Sequence, residues 1–240
     1  MHTLFISDLH LHETRPQVTR AFFHFLHSQA INAEALYILG DFFDVWIGDD
    51  DDSELAKDVA SSLRKLSGLG VAIYFMHGNR DFLLGESYAR KAGMSIIDDG
   101  TVIDLYGSPT LLMHGDSLCT DDTAYQQFRK MVRGAPWQNQ FLAQSISARR
   151  TIAAQLREKS ESMNSMKADD IMDVSQAEVI ARLETSKVTR LIHGHTHRPA
   201  RHPLMVSDKT AERIVLGDWH DLGWCIKAEP NSIELLDWKI

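Results

Sequence analysis

Three histidines alternate with other residues directly after a short apolar segment near the end of the chain. They are His193, His195 and His197, and Gly194 separates the first two. Alternate residues of a β-strand point to the same side, so this spacing predicts three imidazoles on one face where a strand ends. Neutral imidazole is a common ligand of manganese, iron and zinc. The alternative is a polar turn that contains histidines by chance, so the interpretation depends on matching carboxylates elsewhere.

Polar residues also follow four other apolar segments, which we predict to be buried strands. These segments are residues 3–6, 35–39, 71–76 and 110–113, and the donor residues after them are Asp8, His10, Asp41, Asn79 and His114. Helical patterns separate the first three strands, which predicts a layered α/β fold with its site where the parallel strands end. Together with His195 and His197, seven oxygen and nitrogen donors stand at five strand ends, which is too many for one ion and suits two.

Asp41 is the carboxylate that we expect to be shared between two metals, because two-metal phosphoryl-transfer sites hold their ions about 3.5–4 Å apart. The only two cysteines, Cys119 and Cys225, lack the spacing of a metal site. A mixed set of carboxylates and imidazoles suits manganese, iron or zinc and does not select among them. We expect His193 and Asp44 to support the ligands through hydrogen bonds rather than to bind metal.

The composition restricts the class of protein. The chain has 240 residues, 44% of them apolar, which suffices for one large domain or for a domain with an insertion. Its formal net charge of -8 argues against nucleic acid as the main partner. The first residues lack the pattern of a signal peptide, and no segment reaches the ~18 apolar residues of a membrane span. We therefore expect a cytoplasmic protein that could still contact a membrane surface.

Residues 120–187 differ from the rest of the chain because nearly all of them are predicted to be helical. Apolar residues between Trp137 and Leu156 recur at helical spacing, with arginines among them. We predict a core of residues 1–119 and 188–240 with a helical lid insertion of residues 120–187. A basic amphipathic pattern of this kind is more often a packed lid than a membrane contact.

Four consecutive aspartates occupy residues 49–52, after Trp46, Ile47 and Gly48. A run of like charges is usually a solvated loop, and we predict that role here. The run could tune the access of metal to the site, although nothing in its sequence requires this.

Five short motifs occur in order along the chain. They are Asp8-x-His10, Gly40-Asp41-x-x-Asp44, Gly78-Asn79, His114 and Gly194-His195-x-His197. As a set they resemble the calcineurin-like binuclear metallophosphoesterase family, whose fold is a β-sandwich flanked by helices. The resemblance implies that one metal is held by Asp8, His10, Asp41 and His197. It implies that the other metal is held by Asp41, Asn79, His114 and His195.

Arg80 departs from the pattern of that family. Members usually have histidine after the Gly-Asn pair, where it helps a leaving alkoxide to depart, whereas this chain reads Gly78-Asn79-Arg80-Asp81. Arginine cannot donate a proton near neutral pH. The substitution therefore disfavours ordinary phosphomonoesters and alkyl diesters and suits a leaving group that is already a stable anion. A fixed guanidinium can stabilise the extra charge of a pyrophosphate link.

Longer matches resemble one branch of the family, which hydrolyses UDP-2,3-diacylglucosamine in the lipid A biosynthesis of Gram-negative bacteria. The matching segments are residues 38–41, 46–51, 78–85, 113–122 and 192–199, together with the helical insertion. The resemblance implies two manganese ions per chain and a water that attacks the α-phosphorus. The implied products are UMP and 2,3-diacylglucosamine 1-phosphate.

The same resemblance implies roles for individual residues. The catalytic residues would be Asp8, His10, Asp41, Asn79, Arg80, His114, His195 and His197. The substrate contacts would be Asn79, Arg80, Asp122, Ser160, Asn164, Lys167 and His195. The apolar face of the lid would shelter two acyl chains, and a monomeric enzyme would attach peripherally to the cytoplasmic face of the inner membrane.

Two alternatives to this function remain open. The first is a binuclear metallophosphoesterase that acts on another nucleotide pyrophosphate or on a phosphodiester. The second is a non-catalytic binding protein on the same fold, which the complete set of ligands disfavours.

Overall fold

The computed structural model describes residues 1–51, 53–164 and 173–240, with the side chains of residues 159–164 left out. The described residues form eleven strands and seven helices. The strands are β1 (Thr3–Ile6), β2 (Ala35–Leu39), β3 (Ala72–Met76), β4 (Ser95–Ile97), β5 (Thr101–Leu105), β6 (Ser108–Leu112), β7 (Arg190–His193), β8 (Ala200–Val206), β9 (Lys209–Val215), β10 (Leu222–Glu229) and β11 (Ser232–Lys239). The helices are α1 (Pro16–Ser28), α2 (Glu54–Gly68), α3 (Glu86–Ala92), α4 (Thr123–Val132), α5 (Ala135–Leu142), α6 (Ile146–Asn164) and α7 (Gln176–Ser186). Among these described helices, none combines the length and the apolar character that crossing a membrane requires.

The strands form two sheets. The first has the order β11-β10-β1-β2-β3-β4 and the second the order β5-β6-β7-β9-β8. Strands β1 to β4 run parallel, because α1, α2 and α3 carry the chain back between them. In the second sheet β5 and β6 form an antiparallel hairpin, and β7 runs parallel to both of its neighbours. The predicted layered α/β fold is confirmed.

Apolar side chains fill three layers across the molecule. Phe22 of α1 and Leu63 of α2 are fully buried against the outer face of the first sheet. Phe5 and Ile192 belong to the layer between the two sheets. Leu183 of α7 packs on the outer face of the second sheet. Each buried side chain of this size contributes about 1.5–3 kcal/mol. The result is the expected β-sandwich with helices on both faces.

The C-terminal strands differ from the prediction. The sequence pattern predicts one meander, whereas β9 lies in the second sheet and the β10–β11 hairpin lies in the first. Strand β8 is not predicted, because it mixes polar residues with Pro203. Proline is tolerated in edge strands, and β8 is the edge of its sheet.

Helices α4 to α7 lie between β6 and β7 in the chain, yet these two strands pair directly. Residues of α4, α5 and α6 line an apolar pocket, whereas Val179 and Leu183 of α7 pack on the second sheet. The lid of residues 120–187 stays a prediction. The packing indicates that α4 to α6 fit the role of a lid and that α7 packs as a core helix.

The acidic run is not a simple solvated loop. The Asp49 carboxylate accepts hydrogen bonds from the backbone N–H groups of Gly85, at 2.8 Å, and Tyr88, at 2.9 Å. It therefore stabilises the start of α3, where unpaired N–H groups favour a negative charge. Asp52 lies outside the described residues.

Candidate active site

The seven predicted donor residues lie at one edge of the molecule, where strands of both sheets end. Those that follow strands β1, β2 and β3 of the first sheet are Asp8, His10, Asp41 and Asn79. Those that follow strands β6 and β7 of the second sheet are His114, His195 and His197. The sandwich therefore brings together residues that are distant in sequence.

Six of these residues form two groups whose ligand atoms lie within 4.8 Å of one another in each group: Asp8, His10 and His197, and Asp41, His114 and His195. Asp41 Oδ2 is 3.9 Å from His10 Nε2, and Asp41 Oδ1 is 3.7 Å from His114 Nε2. Asn79 Oδ1 lies 3.0 Å from His114 Nε2. Asp41 thus stands between the groups, in the position that a bridging carboxylate needs.

The polar atoms of the first group suit a cation. Asp8 Oδ1 is buried and has no hydrogen-bond partner among the described residues. His10 Nε2 faces His197 Nε2 at 3.4 Å, and Asp8 Oδ1 lies 3.4 Å from the same His197 nitrogen. A buried carboxylate oxygen without a partner costs about 1–3 kcal/mol or more, and a shared divalent cation would remove that cost. The residues present therefore fit a metal.

The protonation states also suit cation binding. Burial lowers the pKa of His10 to about 3 and that of His195 to about 4, so both imidazoles are neutral. Burial alone would raise the pKa of Asp8, but His197 and His114 outweigh it and lower this pKa below its ordinary value. Burial opposes the charge of His114, yet Asp41 and Asp8 raise its pKa to about 9. Two of the candidate ligand imidazoles are therefore neutral, whereas His114 is protonated beside the carboxylates and would have to release its proton to a bound cation.

Most candidate ligands have an unusual backbone conformation. Asp8, His10, Asp41, His195 and His197 all have φ between 48° and 69°. This left-handed region costs a non-glycine residue about 1–3 kcal/mol, and it persists where the surroundings impose it. Backbone hydrogen bonds between the loops supply that constraint, since His10 N donates to Asp41 O at 2.9 Å.

The predicted alternation of the three histidines along a strand is therefore wrong. Strand β7 ends at His193, and His195 and His197 lie in the loop that follows. His193 is buried; its Nδ1–H donates to Gly194 O at 2.8 Å, and its Nε2 is 3.5 Å from Arg213 Nη1. Burial and the Arg213 charge lower the pKa of His193 to about 3. His193 belongs to neither ligand group, in agreement with its predicted supporting role.

Asp44 lies near His10 without a hydrogen bond to it. Its Oδ1 is 3.9 Å from His10 Nδ1, the ring nitrogen that faces away from Asp41. The predicted supporting role of Asp44 therefore stays a prediction. Arg157 of α6 forms an ion pair with the same carboxylate.

Glycine is required where the ligand loops approach one another. A Cβ atom on Gly78 would lie 2.1 Å from Asp41 Oδ1, and one on Gly194 would lie 2.2 Å from Asp8 Oδ2. Real Cβ atoms do not approach oxygen so closely. Each glycine thus lets a backbone segment from one strand end touch a carboxylate from another.

Asp116 is a buried neighbour of the site that the sequence analysis did not single out. Its Oδ2 accepts hydrogen bonds from Tyr125 Oη at 2.8 Å and from Arg129 Nε at 2.7 Å, and Arg133 Nη2 lies 3.3 Å away. The Tyr125 ring stacks against His195, with 6.1 Å between ring centroids. The cluster therefore holds α4 beside the second ligand group. The sequence feature that could have indicated Asp116 is its position two residues after His114, a predicted ligand.

An apolar pocket adjoins the second ligand group, with a cavity volume of about 360 Å³. Its apolar lining includes Trp46, Phe82, Phe128, Trp137, Phe141 and Leu156. Asn79 and Arg80 line the same pocket, so a ligand in it would reach the candidate metal site. The backbone N–H of Arg80 donates to Asp41 Oδ1 at 2.8 Å, which ties this arginine to the ligand loop.

The remaining predicted substrate contacts stay predictions. Asp122 caps the start of α4, where its Oδ1 accepts from Tyr125 N at 3.1 Å. Ser160 and Asn164 belong to α6, and their side chains are not among those described. Lys167 lies outside the described residues.

Comparison with known proteins agrees with this geometry. Residues 1–199 match the family model of the calcineurin-like phosphoesterases. The chain belongs to this family. Phosphoesterases of this family are hydrolases with a dinuclear metal site, and the two ligand groups of the chain correspond to such a site. The metallophosphoesterase fold is likewise supported by a solved archaeal phosphodiesterase, which is 14% identical, covers 100% of both chains and has a TM-score of 0.50.

Several relatives of this calcineurin-like phosphoesterase carry the name UDP-2,3-diacylglucosamine hydrolase. One from Cellvibrio japonicus is 62% identical over 240 residues, which is 100% of both chains. One from Marinobacter nauticus is 52% identical over 97% of this chain and 95% of the relative. One from Salmonella agona is 48% identical over 98% of each.

Replacement of Asp41 by alanine tests the predicted bridge. Asp41→Ala should lower the bound metal from two ions to below one per chain, because the lost carboxylate faces both groups. The measurement is elemental analysis after incubation with manganese and desalting. His12→Ala is the matched control, since His12 shares the loop of His10 and bonds instead with Thr14. A folded Asp41→Ala protein that keeps both ions would contradict the bridging role.

Proposed function

We propose that the protein hydrolyses the pyrophosphate bond of UDP-2,3-diacylglucosamine in lipid A biosynthesis. The observation that carries the proposal is the apolar pocket beside the two groups of candidate metal-binding residues. Asn79 and Arg80 line this pocket where it meets the candidate metal site. The names of the full-length relatives support the same substrate. In this proposal a water adds to the α-phosphorus, the bond from that phosphorus to the bridging oxygen breaks, and the products are UMP and 2,3-diacylglucosamine 1-phosphate.

The ligand assignment follows from the two groups and from the resemblance. We assign one metal to Asp8, His10, Asp41 and His197. We assign the other to Asp41, Asn79, His114 and His195. Bound divalent cations would polarise the phosphoryl oxygens and make a water nucleophilic at neutral pH. We propose two manganese ions, and the same oxygen and nitrogen donors also suit iron or zinc.

Arg80 would stabilise the charge that develops on the leaving group. The departing sugar phosphate is a stable anion, so its departure needs a fixed positive charge more than a proton donor. The hydrogen bond from Arg80 N to Asp41 Oδ1, 2.8 Å long, keeps this residue beside the ligand loop. Asn79, whose Oδ1 is 3.0 Å from His114 Nε2, would share the same phosphate. These two residues account for a preference for pyrophosphate over alkyl esters.

The apolar pocket would hold the acyl chains of the substrate. Its aromatic residues come from α4, α5 and the loops after β2 and β3, and they include Phe82, Phe128 and Phe141. Burial of hydrocarbon contributes about 0.8 kcal/mol for each methylene, so a pair of acyl chains would bind with substantial free energy. A soluble nucleotide pyrophosphate would leave this pocket without an apolar occupant, which disfavours the alternative substrate class.

We further propose that the mouth of the pocket contacts the cytoplasmic face of the inner membrane, with the enzyme acting as a monomer. Phe128 and Met131 of α4 line the pocket and are 36% and 53% exposed. Val45, in the loop after β2, also lines the pocket and is 39% exposed. Exposed apolar side chains around a pocket commonly mark an interaction with lipid or protein. An acylated substrate could then pass from the membrane into the pocket.

Product analysis in isotopically labelled water tests the reaction. The manganese-loaded protein should convert UDP-2,3-diacylglucosamine to UMP, and the heavy oxygen should appear in UMP because the attack is on the α-phosphorus. Mass spectrometry of both products is the measurement. Label in the sugar phosphate would refute the proposed site of attack. Cleavage of soluble nucleotide pyrophosphates without cleavage of the acylated substrate would favour the alternative substrate class.

Arg80→His tests the proposed role of Arg80 in stabilising the leaving group. We expect kcat/KM for UDP-2,3-diacylglucosamine to fall by about a hundredfold, because histidine lacks the permanent charge at this position. Hydrolysis of activated phosphodiesters should be unchanged or faster, since an imidazole can assist an alkoxide leaving group. Arg90→His, on the exposed side of α3, is the control. Wild-type rates in the Arg80 variant would show that Arg80 does not act on the substrate.

Replacement of Met131 by glutamate tests the membrane contact. Met131→Glu should weaken binding to anionic phospholipid vesicles by about tenfold, because the change adds a charge to the apolar mouth of the pocket. Co-sedimentation with vesicles is the measurement. Met205→Glu is the control, since Met205 of β8 is 58% exposed, similar to the 53% of Met131, but lies in the second sheet. Equal binding of the two variants would contradict the proposed contact surface.

A further inference from the structure

Arg149 is a buried cation that belongs to neither ligand group. Its side chain is 3% exposed, whereas that of its partner Asp50 is 62% exposed. Arginine is almost never buried without several hydrogen bonds, because the charge loses its hydration. The burial of Arg149 must therefore be compensated by hydrogen bonds from its guanidinium group.

The hydrogen bonds of the Arg149 guanidinium connect two separate parts of the molecule. Arg149 Nη1 donates to Ile47 O at 2.6 Å and to Asp50 Oδ1 at 2.7 Å, and Nη2 donates to Asp50 Oδ2. Ile47 and Asp50 belong to the loop between β2 and α2, in the core. Arg149 Nε donates to Gln144 O at 3.1 Å, in the connection between α5 and α6. One guanidinium thus binds the core loop and the start of α6 together.

Gly48 is shaped to receive this guanidinium. Its φ is +133°, and a Cβ atom at this position would lie 2.4 Å from Arg149 Nη1 and 3.0 Å from Leu142 Cδ2. A side chain would therefore displace both the arginine and the end of α5. The requirement for glycine at position 48 and the burial of the Arg149 charge are independent observations, and both indicate close contact between Arg149 and the loop of residues 47–50.

The position of α6 affects the pocket directly. Ala153, Leu156 and Arg157 of α6 line the apolar pocket, and they follow Arg149 by one to two helical turns. A rigid helix transmits a shift at its start to the residues that line the cavity. Displacements of about 1 Å in such positions can change rates by orders of magnitude.

We propose that Arg149 is a positioning residue that seats α6 on the loop of residues 47–50 and so sets the shape of the acyl pocket. This inference rests on the proposed function, because it assigns the pocket to the acylated part of the substrate. Arg149 acts through α6 and does not touch the reacting atoms. Its loss should therefore raise KM for long-chain substrate and leave the bound metal unchanged.

Arg150 provides a matched comparison within the same helix. Its side chain is 57% exposed, and Nη2 donates to Asp51 Oδ1 at 2.9 Å, so it too pairs with the acidic run. An exposed pair of this kind contributes little to stability, because water screens the charges. Arg149 and Arg150 therefore carry the same charge and lie in the same helix, but they differ in burial and in the number of hydrogen-bond partners.

The experiment compares Arg149→Met with Arg150→Met, each of which removes the charge but keeps an unbranched side chain. KM and kcat are measured for UDP-2,3-diacylglucosamine with long acyl chains and for an analogue with short acyl chains. Amide hydrogen exchange of residues 146–158 is measured by mass spectrometry on the same proteins. Asp50→Asn is included because Asp50 is exposed, so the change should not prevent folding.

We expect Arg149→Met to raise KM for the long-chain substrate by about tenfold, to lower the preference for long over short chains, and to speed exchange in α6. Asp50→Asn should act in the same direction with a smaller effect, and Arg150→Met should resemble the wild type. Equal KM and equal exchange in the Arg149 and Arg150 variants would overturn the inference. A wild-type protein that releases no UMP would refute the proposed function, whereas the exchange comparison would still test whether Arg149 positions α6.

Discussion

The arrangement of the site depends on the hydrogen bonds that Asp41 accepts. The backbone carbonyl of Asp41 accepts from His10 N at 2.9 Å, and its carboxylate Oδ1 accepts from Arg80 N at 2.8 Å. Asp81, itself fully buried, reinforces this junction by accepting from Gly78 N at 2.8 Å and from the loop that follows Asp41. Burial and the charge of the neighbouring Asp8 raise the pKa of Asp41. The loops thus hold two carboxylates close together, which is favourable mainly when cations lie between them.

The net charge of the chain conceals a local reversal of sign. The protein carries a formal charge of -8, yet Arg80, Arg129, Arg133 and Arg157 all line one pocket. Asp116 pairs with Arg129 and Arg133, and Asp44 pairs with Arg157, which reduces the repulsion among these arginines. The net charge therefore argues against a long polyanion as the main partner but does not describe the pocket, where a compact anion with an apolar part would find both kinds of contact.

Sequence patterns predicted most of the strands and helices, and they named seven donor residues that lie together at one edge, because buried strands ending in polar residues have a strong local signal. They did not predict the conformation of His195 and His197, since the left-handed backbone is imposed by hydrogen bonds to loops that are distant in sequence. The acidic run was assigned to solvent for the same reason. Its partner Arg149 is 99 positions away from Asp50, so only the folded chain reveals the contact. Local patterns identify elements, whereas tertiary contacts determine which charges are paired.

The pairing of β6 with β7 has a consequence for the order in which the molecule forms. These parallel neighbours are separated in the chain by four helices, so their association closes one of the longest loops in the fold. The loop after β7 carries His195 and His197, one for each ligand group. Neither group is complete until this entropically costly pairing has formed. The chain connectivity therefore couples the assembly of both cation sites to the pairing of β6 with β7, and a chain that lacks this pairing holds neither complete site.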